Sequence, residues 1–268
     1  MPTVQEIQSR TGEDPVTVLT AYDTPTARLV DEAGIDAVLV GDSMGNAVMG
    51  YDSTLPVTME DMVSRTGAVS RGVEDALVVA DMPFLSYGAD EADAVENAGR
   101  LMREAGADAV KLECGPHTVE LTERLVNLGI PVMGHVGLTP QRIKQLGLGR
   151  QGATRDAARE IRDLAVAHED AGAFSVVLEH IPANVAAQIT DALSVPTIGI
   201  GAGGETDGQV LVITDVLGLS ERTPPFAEAF GDVASEMRDA IAGYRDAVES
   251  GDFPADEHAS RDDDLDGL

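Results

Sequence analysis

Residues 104–114 read EAGADAVKLEC. The Glu-Ala-Gly triplet ends a helix, because glycine accepts the left-handed conformation that closes a helix C-terminus. A short run of apolar residues follows at once and reads as a strand. Upstream, Ala92, Val95, Ala98, Met102 and Ala105 recur at helical spacing across 91–105, a stripe that packs a helix against a sheet. Helix, glycine and strand therefore form one unit. Its ending recurs as EAG at 32–34 and DAG at 170–172, and in shorter form as Leu128-Gly129. Across 156–171 the stripe is Ala157, Ile161, Leu164, Ala165, His168 and Ala171. Thr24-Pro25 reads as an N-cap with proline at the first helical position.

Working outward, apolar runs at 16–22, 36–41, 76–81, 108–113, 131–136, 174–179, 196–200 and 209–213 are candidate strands. About eight such runs with helices between them predict an α/β fold with a parallel sheet closed as a (β/α)8 TIM barrel. An open doubly wound sheet is the alternative, but no GxGxxG follows the first strand. Residues 201–208, GAGGETDG, leave room only for a loop or a single turn. The segments 45–59 and 138–155 read as active-site loops, and 226–249 as a C-terminal helix. The expected organisation is one catalytic barrel over 1–254, including that helix, and an acidic, disordered tail over 255–268.

The chain has 268 residues and a formal charge of −29. Nucleic acid and anionic membranes are unsuitable partners, since both need clustered Lys and Arg. Lys111 and Lys144 are the only lysines. An acidic protein of an ordinary cytosol is one reading of this charge, and adaptation to a salt-rich cytoplasm is the favoured one: at about 1 M salt the Debye length is roughly 3 Å, and surface carboxylates repel one another little. Cys114 is the single cysteine, so no intrachain disulfide forms. The start, MPTVQEIQSR, lacks the apolar stretch of a signal peptide, and no run reaches the ~18 apolar residues of a membrane span. A cytoplasmic location is expected.

Barrel active sites form at the C-terminal strand ends. Those ends carry Asp42 and Ser43, Asp81, Lys111 and Glu113, His135, then Glu179 and His180. Ionisable residues thus interrupt apolar strands at the same end each time. Two carboxylates about 4 Å apart repel by about 4 kcal/mol at an effective dielectric near 20, so such a cluster must take up protons or bind a cation. Oxygen-only ligands suit a hard cation such as Mg²⁺. Lys111 and Glu113, two apart on a strand, share one face. Taken singly, each residue has a plainer reading. Asp42 and Asp81 could bond local backbone, Lys111 and Glu113 could form a structural pair, Glu179 could pair with an arginine, and Cys114 reads as a small core residue.

The segments LVGDSMGNAVMGYDSTLPVTMEDM, VVADMPFLSY, VKLECG, GHVGLTPQ, VLEHIP and IGIGAGGETDGQVLV resemble the ketopantoate hydroxymethyltransferase family in the same order from about residue 3 to 258. The resemblance implies a (β/α)8 barrel that transfers a hydroxymethyl group from 5,10-methylenetetrahydrofolate to 3-methyl-2-oxobutanoate, giving 2-dehydropantoate for pantothenate and coenzyme A synthesis. It implies one Mg²⁺ per subunit at Asp42, Asp81 and Glu113, directly or through water. Asp42, Ser43, Asp81 and Lys111 would hold the keto acid, His135 would line the pocket, and Glu179 would accept the C3 proton. The resemblance also implies a homo-oligomer, in this family often a decamer. Two segments depart from the family pattern: RIKQLGLGRQGATRD stands where relatives carry a GGYKVQG-like run, and Thr214-Asp215 stands for His-Asp.

Three other readings are compatible with the same rim. One is a Schiff-base aldolase with Lys111 as nucleophile. Another is a different Mg²⁺-dependent barrel lyase acting on a related α-keto acid. The third is a non-catalytic binding barrel.

Overall fold

The computed structural model describes residues 3–11, 14–220 and 222–261. The chain divides into two compact units, Met1–Ile213 and Thr214–Leu268.

The first unit contains eight strands: β1 Val16–Thr20, β2 Ala37–Val40, β3 Leu77–Asp81, β4 Ala109–Glu113, β5 Val132–Gly137, β6 Ser175–Glu179, β7 Thr197–Ile200 and β8 Gly208–Leu211. Neighbours in sequence pair in parallel, and β1 pairs with β8, so the sheet closes into a barrel. The helices are α1 Val4–Gln8, α2 Thr24–Glu32, α3 Met44–Ala47, α4 Met59–Ser70, α5 Glu91–Arg103, α6 Val119–Asn127, α7 Ile143–Leu146, α8 Arg155–Asp170, α9 Ala183–Thr190, α10 Ile213–Val216 and α11 Val233–Ser250.

Strand alternation divides the core in two. Val16, Val18, Ala37, Leu39, Leu77, Val79, Ala109, Met133, Val177, Ile198 and Val210 form one cluster with Ile7 of α1. The other face carries Val38, Val40, Val78, Ala80, Val110, Leu112, Val136, Val176 and Leu178, also buried. The strands read as continuous apolar runs because both their faces leave water. Each fully buried Val, Leu or Ile contributes about 1.5–3 kcal/mol.

Gly34, Gly106, Gly129 and Gly172 all have positive φ where the repeated endings predict it. No helix lies between β7 and β8. Several boundaries differ from the sequence reading. Asp23, not Thr24, caps α2, its carboxylate accepting the Thr26 N–H at 2.9 Å, with Pro25 in the first turn. Either residue suits a cap, and only the backbone direction selects one. The 45–59 and 138–155 segments include α3, α7 and a 3₁₀ turn at Pro140–Arg142. In the second unit the long helix starts at Val233, where Asp232 accepts from Ser235 N, rather than at 226. Residues 262–268 of the expected acidic tail lie outside the described residues. No helix among the described residues is long and apolar enough to cross a membrane.

Candidate active site

The C-terminal ends of the strands meet around a cavity of about 100 Å³, roughly the space of three waters. Its lining includes Asp42, Ser43, Asp81, Lys111, Glu113, His135 and Glu179. All seven sequence-predicted residues therefore come together. Register explains the convergence. Asp81 pairs with Lys111, Glu113 with His135, and Glu179 stands beside Gly137, so the side chains of these five ionisable residues continue the inward column above the apolar core, and Asp42 and Ser43 join them from the turn after β2.

Lys111 is buried. Its Nζ lies 2.8 Å from Asp81 Oδ1 and 3.5 Å from His135 Nδ1. Burial alone would lower its pKa, but the charges of Asp81 and Asp42 outweigh burial and raise it. An ammonium held this way is a poor Schiff-base nucleophile. Asp81 Oδ2 accepts the Asp42 N–H at 3.1 Å. On the far side, His135 Nε2 stands 3.0 Å from Glu179 Oε2. The contact is close but not aligned as a hydrogen bond.

Two carboxyls are strained electrostatically. Burial, then the neighbouring Asp81, pushes Asp42 up to about 7. Burial, followed by the nearby Asp42 charge, pushes Glu113 up to about 9. The pocket is short of positive charge even with Lys111 in it. Among the described residues, no three His, Cys, Asp or Glu side chains form a ready metal cage. Mg²⁺ does not require one, since it keeps several waters and takes one or two carboxylates. The donors fit that role: they are hard oxygens, and Glu113 Oε2 is buried without a hydrogen-bond partner.

A sequence model of the ketopantoate hydroxymethyltransferase family matches residues 2–256. The chain belongs to the ketopantoate hydroxymethyltransferase family. The 3-methyl-2-oxobutanoate hydroxymethyltransferase of Haloarcula marismortui is 63% identical over 268 residues, covering 100% of both chains. That of Pyrobaculum islandicum is 54% identical over 248 residues, 92% of this chain and 95% of its own. Among solved structures, phosphoenolpyruvate phosphomutase from Streptomyces platensis subsp. rosaceus superposes with TM-score 0.64 at 15% identity, covering 97% of this chain and 92% of the other. A 2,3-dimethylmalate lyase superposes with TM-score 0.57 at 16% identity, covering 97% and 93%. At such identities the structural likeness concerns the fold.

For this ketopantoate hydroxymethyltransferase family member, three site residues escaped the sequence reading. Tyr22 follows β1 and its hydroxyl lies 2.9 Å from Ser43 Oγ. Burial pushes that phenol up to about 12, so it stays a neutral hydrogen-bonding group. Its place just past a strand end was the available signal. Gln141 bonds the Asp42 carboxylate from a loop, and Tyr87 bonds Gln141 Oε1 and the Glu113 backbone N–H from another. Both lie in quoted motifs, but nothing in spacing points a loop residue inward. Cys114 is buried, with its thiol pushed up to about 12 by burial, and it behaves as the small core residue expected.

Proposed function

We propose that the chain transfers a hydroxymethyl group from 5,10-methylenetetrahydrofolate to 3-methyl-2-oxobutanoate, forming 2-dehydropantoate in pantothenate and coenzyme A synthesis. The observation that carries this reading is that Glu179 and the Asp42–Asp81–Lys111–Glu113 cluster line one small cavity. Proton abstraction α to a carbonyl needs a base and a group that stabilises the developing charge, and the cavity lining supplies both.

Asp42, Asp81 and Glu113 would hold Mg²⁺, directly or through water. A cation held there would supply Lewis-acid polarisation of the keto carbonyl. Ser43, Asp42, Asp81 and Lys111 bind and orient the keto acid. Glu179 removes the C3 proton, with the His135 ring beside its carboxylate. Lys111 offsets the negative charge that develops on the substrate. The C3 electron pair then forms the new bond to the methylene carbon of the folate and water supplies the hydroxyl oxygen, while both C–N bonds of that carbon break and the two folate nitrogens take up the C3 proton and one water proton, releasing tetrahydrofolate. The chain would work in the cytoplasm without nucleic-acid or membrane partners. A homo-oligomer, a decamer being the family's frequent form, is supported by α11, which exposes Met237, Ile241, Tyr244 and Val248 at helical spacing.

Proton NMR of 3-methyl-2-oxobutanoate in D₂O with protein, Mg²⁺ and high salt tests the reading. Loss of the C3–H signal without folate, and 2-dehydropantoate with it, is expected. Folded, metal-loaded protein that does neither would point instead to a binding barrel.

A further inference from the structure

Gln141 is buried and bonds two of the cluster's carboxylates. Its Nε2 donates to Asp42 Oδ2 at 2.9 Å and to Met82 O at 2.9 Å. Its backbone N–H donates to Glu113 Oε1 at 3.0 Å. Its Oε1 accepts from the Tyr87 hydroxyl at 2.7 Å. A primary amide has two N–H donors and one carbonyl, and all are engaged here. Tyr87 in turn accepts the Glu113 N–H at 3.1 Å, which leaves its hydroxyl proton to point at Gln141. That proton sets which end of the amide faces Asp42.

The network divides the carboxylate oxygens into two classes. Asp42 Oδ2 and Glu113 Oε1 are committed to Gln141. Glu113 Oε2 remains buried with no hydrogen bond. A neutral amide performs this task without adding charge to a cluster already short of cations, whereas glutamate would add one and an aliphatic chain would leave Asp42 Oδ2 unsatisfied. Gln141 arrives on the 3₁₀ turn Pro140–Arg142, so the loop after β5 is tied to the same choice.

We propose that Gln141 is a positioning residue that selects which oxygens of Asp42 and Glu113 face a divalent cation and the keto acid. The identity of those ligands rests on the functional reading above, while the network itself does not. The test uses the full chain in high salt, with Mn²⁺ binding followed by electron paramagnetic resonance. Gln141→Met keeps length and packing but removes the amide. Its Mn²⁺ affinity is expected to fall about 10–100-fold, with cooperative thermal unfolding retained. Tyr87→Phe should shift affinity the same way and add little in the Gln141→Met background. Leu125→Ala, in the buried face of α6, controls for general destabilisation and should lower Tm without changing Mn²⁺ affinity. Unchanged Mn²⁺ affinity in both Gln141→Met and Tyr87→Phe overturns the proposal, as does a wild type that binds no Mn²⁺. A wild type that binds Mn²⁺ but exchanges no C3–H overturns the functional reading alone.

Discussion

His135 Nε2 lies 3.0 Å from Glu179 Oε2, and the other nitrogen of the same ring faces Lys111 Nζ at 3.5 Å. One imidazole thus bridges Glu179 and the Lys111 ammonium. Glu179→Gln should abolish deuterium exchange at C3 by about 10²–10⁴-fold while keto-acid binding persists. His135→Asn should slow exchange by a smaller factor, about 10–100-fold, because the base remains but loses its orienting contact. Exchange rates by NMR compare the two. Equal, small losses would remove Glu179 from the role of base.

Gly137 is a second control on the base. Its φ is +99°, and a Cβ there would stand 2.2 Å from the Glu179 carbonyl oxygen. Leu138 N–H also donates to that carbonyl at 2.8 Å. Gly137→Ala must push the end of β6 outward. The expected result is a rate loss on the order of 100-fold, since displacements near 1 Å have that effect, in protein that still folds. Circular dichroism and C3–H exchange measure the two halves.

Lys111→Met leaves the buried Asp81 carboxylate without its cation. The metal-free variant should lose about 3–5 kcal/mol of stability in denaturant unfolding. Lys111→Arg should not restore activity, because a planar fork does not replace a compact ammonium in a cavity of about 100 Å³. Wild-type activity in Lys111→Arg would show that only charge matters there.

His168 is a structural histidine on α8. Its Nδ1 lies 2.9 Å from Thr122 Oγ1, and burial pushes its pKa down to about 4. The unfolded chain binds this proton near pH 6.5 and the folded chain only near 4. Its contribution to stability is therefore full above about pH 6.5 and is lost as pH falls towards 4. The stability difference between wild type and His168→Gln should shrink by about 3 kcal/mol across that window. A constant difference would mean that the ring titrates normally in the fold.

The charge of −29 predicts a salt requirement. Unfolding temperature should rise steeply with KCl and then level off as the Debye length falls to a few ångströms. A flat dependence from low to high salt would remove self-repulsion as a determinant of stability.

Much of the site was legible because strand periodicity is simple. Asp81, Lys111, Glu113 and Glu179 each end or interrupt an apolar strand, and a period of two assigns Lys111 and Glu113 to one face. His135, in the run Gly134-His135-Val136-Gly137, was harder to read, because a polar residue at a strand end commonly bonds backbone. Its ring instead faces both Lys111 and Glu179. Gln141 and Tyr87 were not legible as site residues. They reach the cluster from loops, where no periodicity relates sequence position to direction.

The local order of the chain, by itself, determined the repeated helix–glycine–strand unit, the closed barrel that eight apolar strands imply, and the end of the barrel where charge collects. These follow from short-range rules: glycine's left-handed conformation, helical and strand periodicity, and the exclusion of apolar faces from water. Tertiary structure alone decided which carboxylate oxygens are occupied, that Lys111 stays charged, and that His135 faces Glu179. Those outcomes depend on distances between residues from different strands and loops, and on the water removed when they meet.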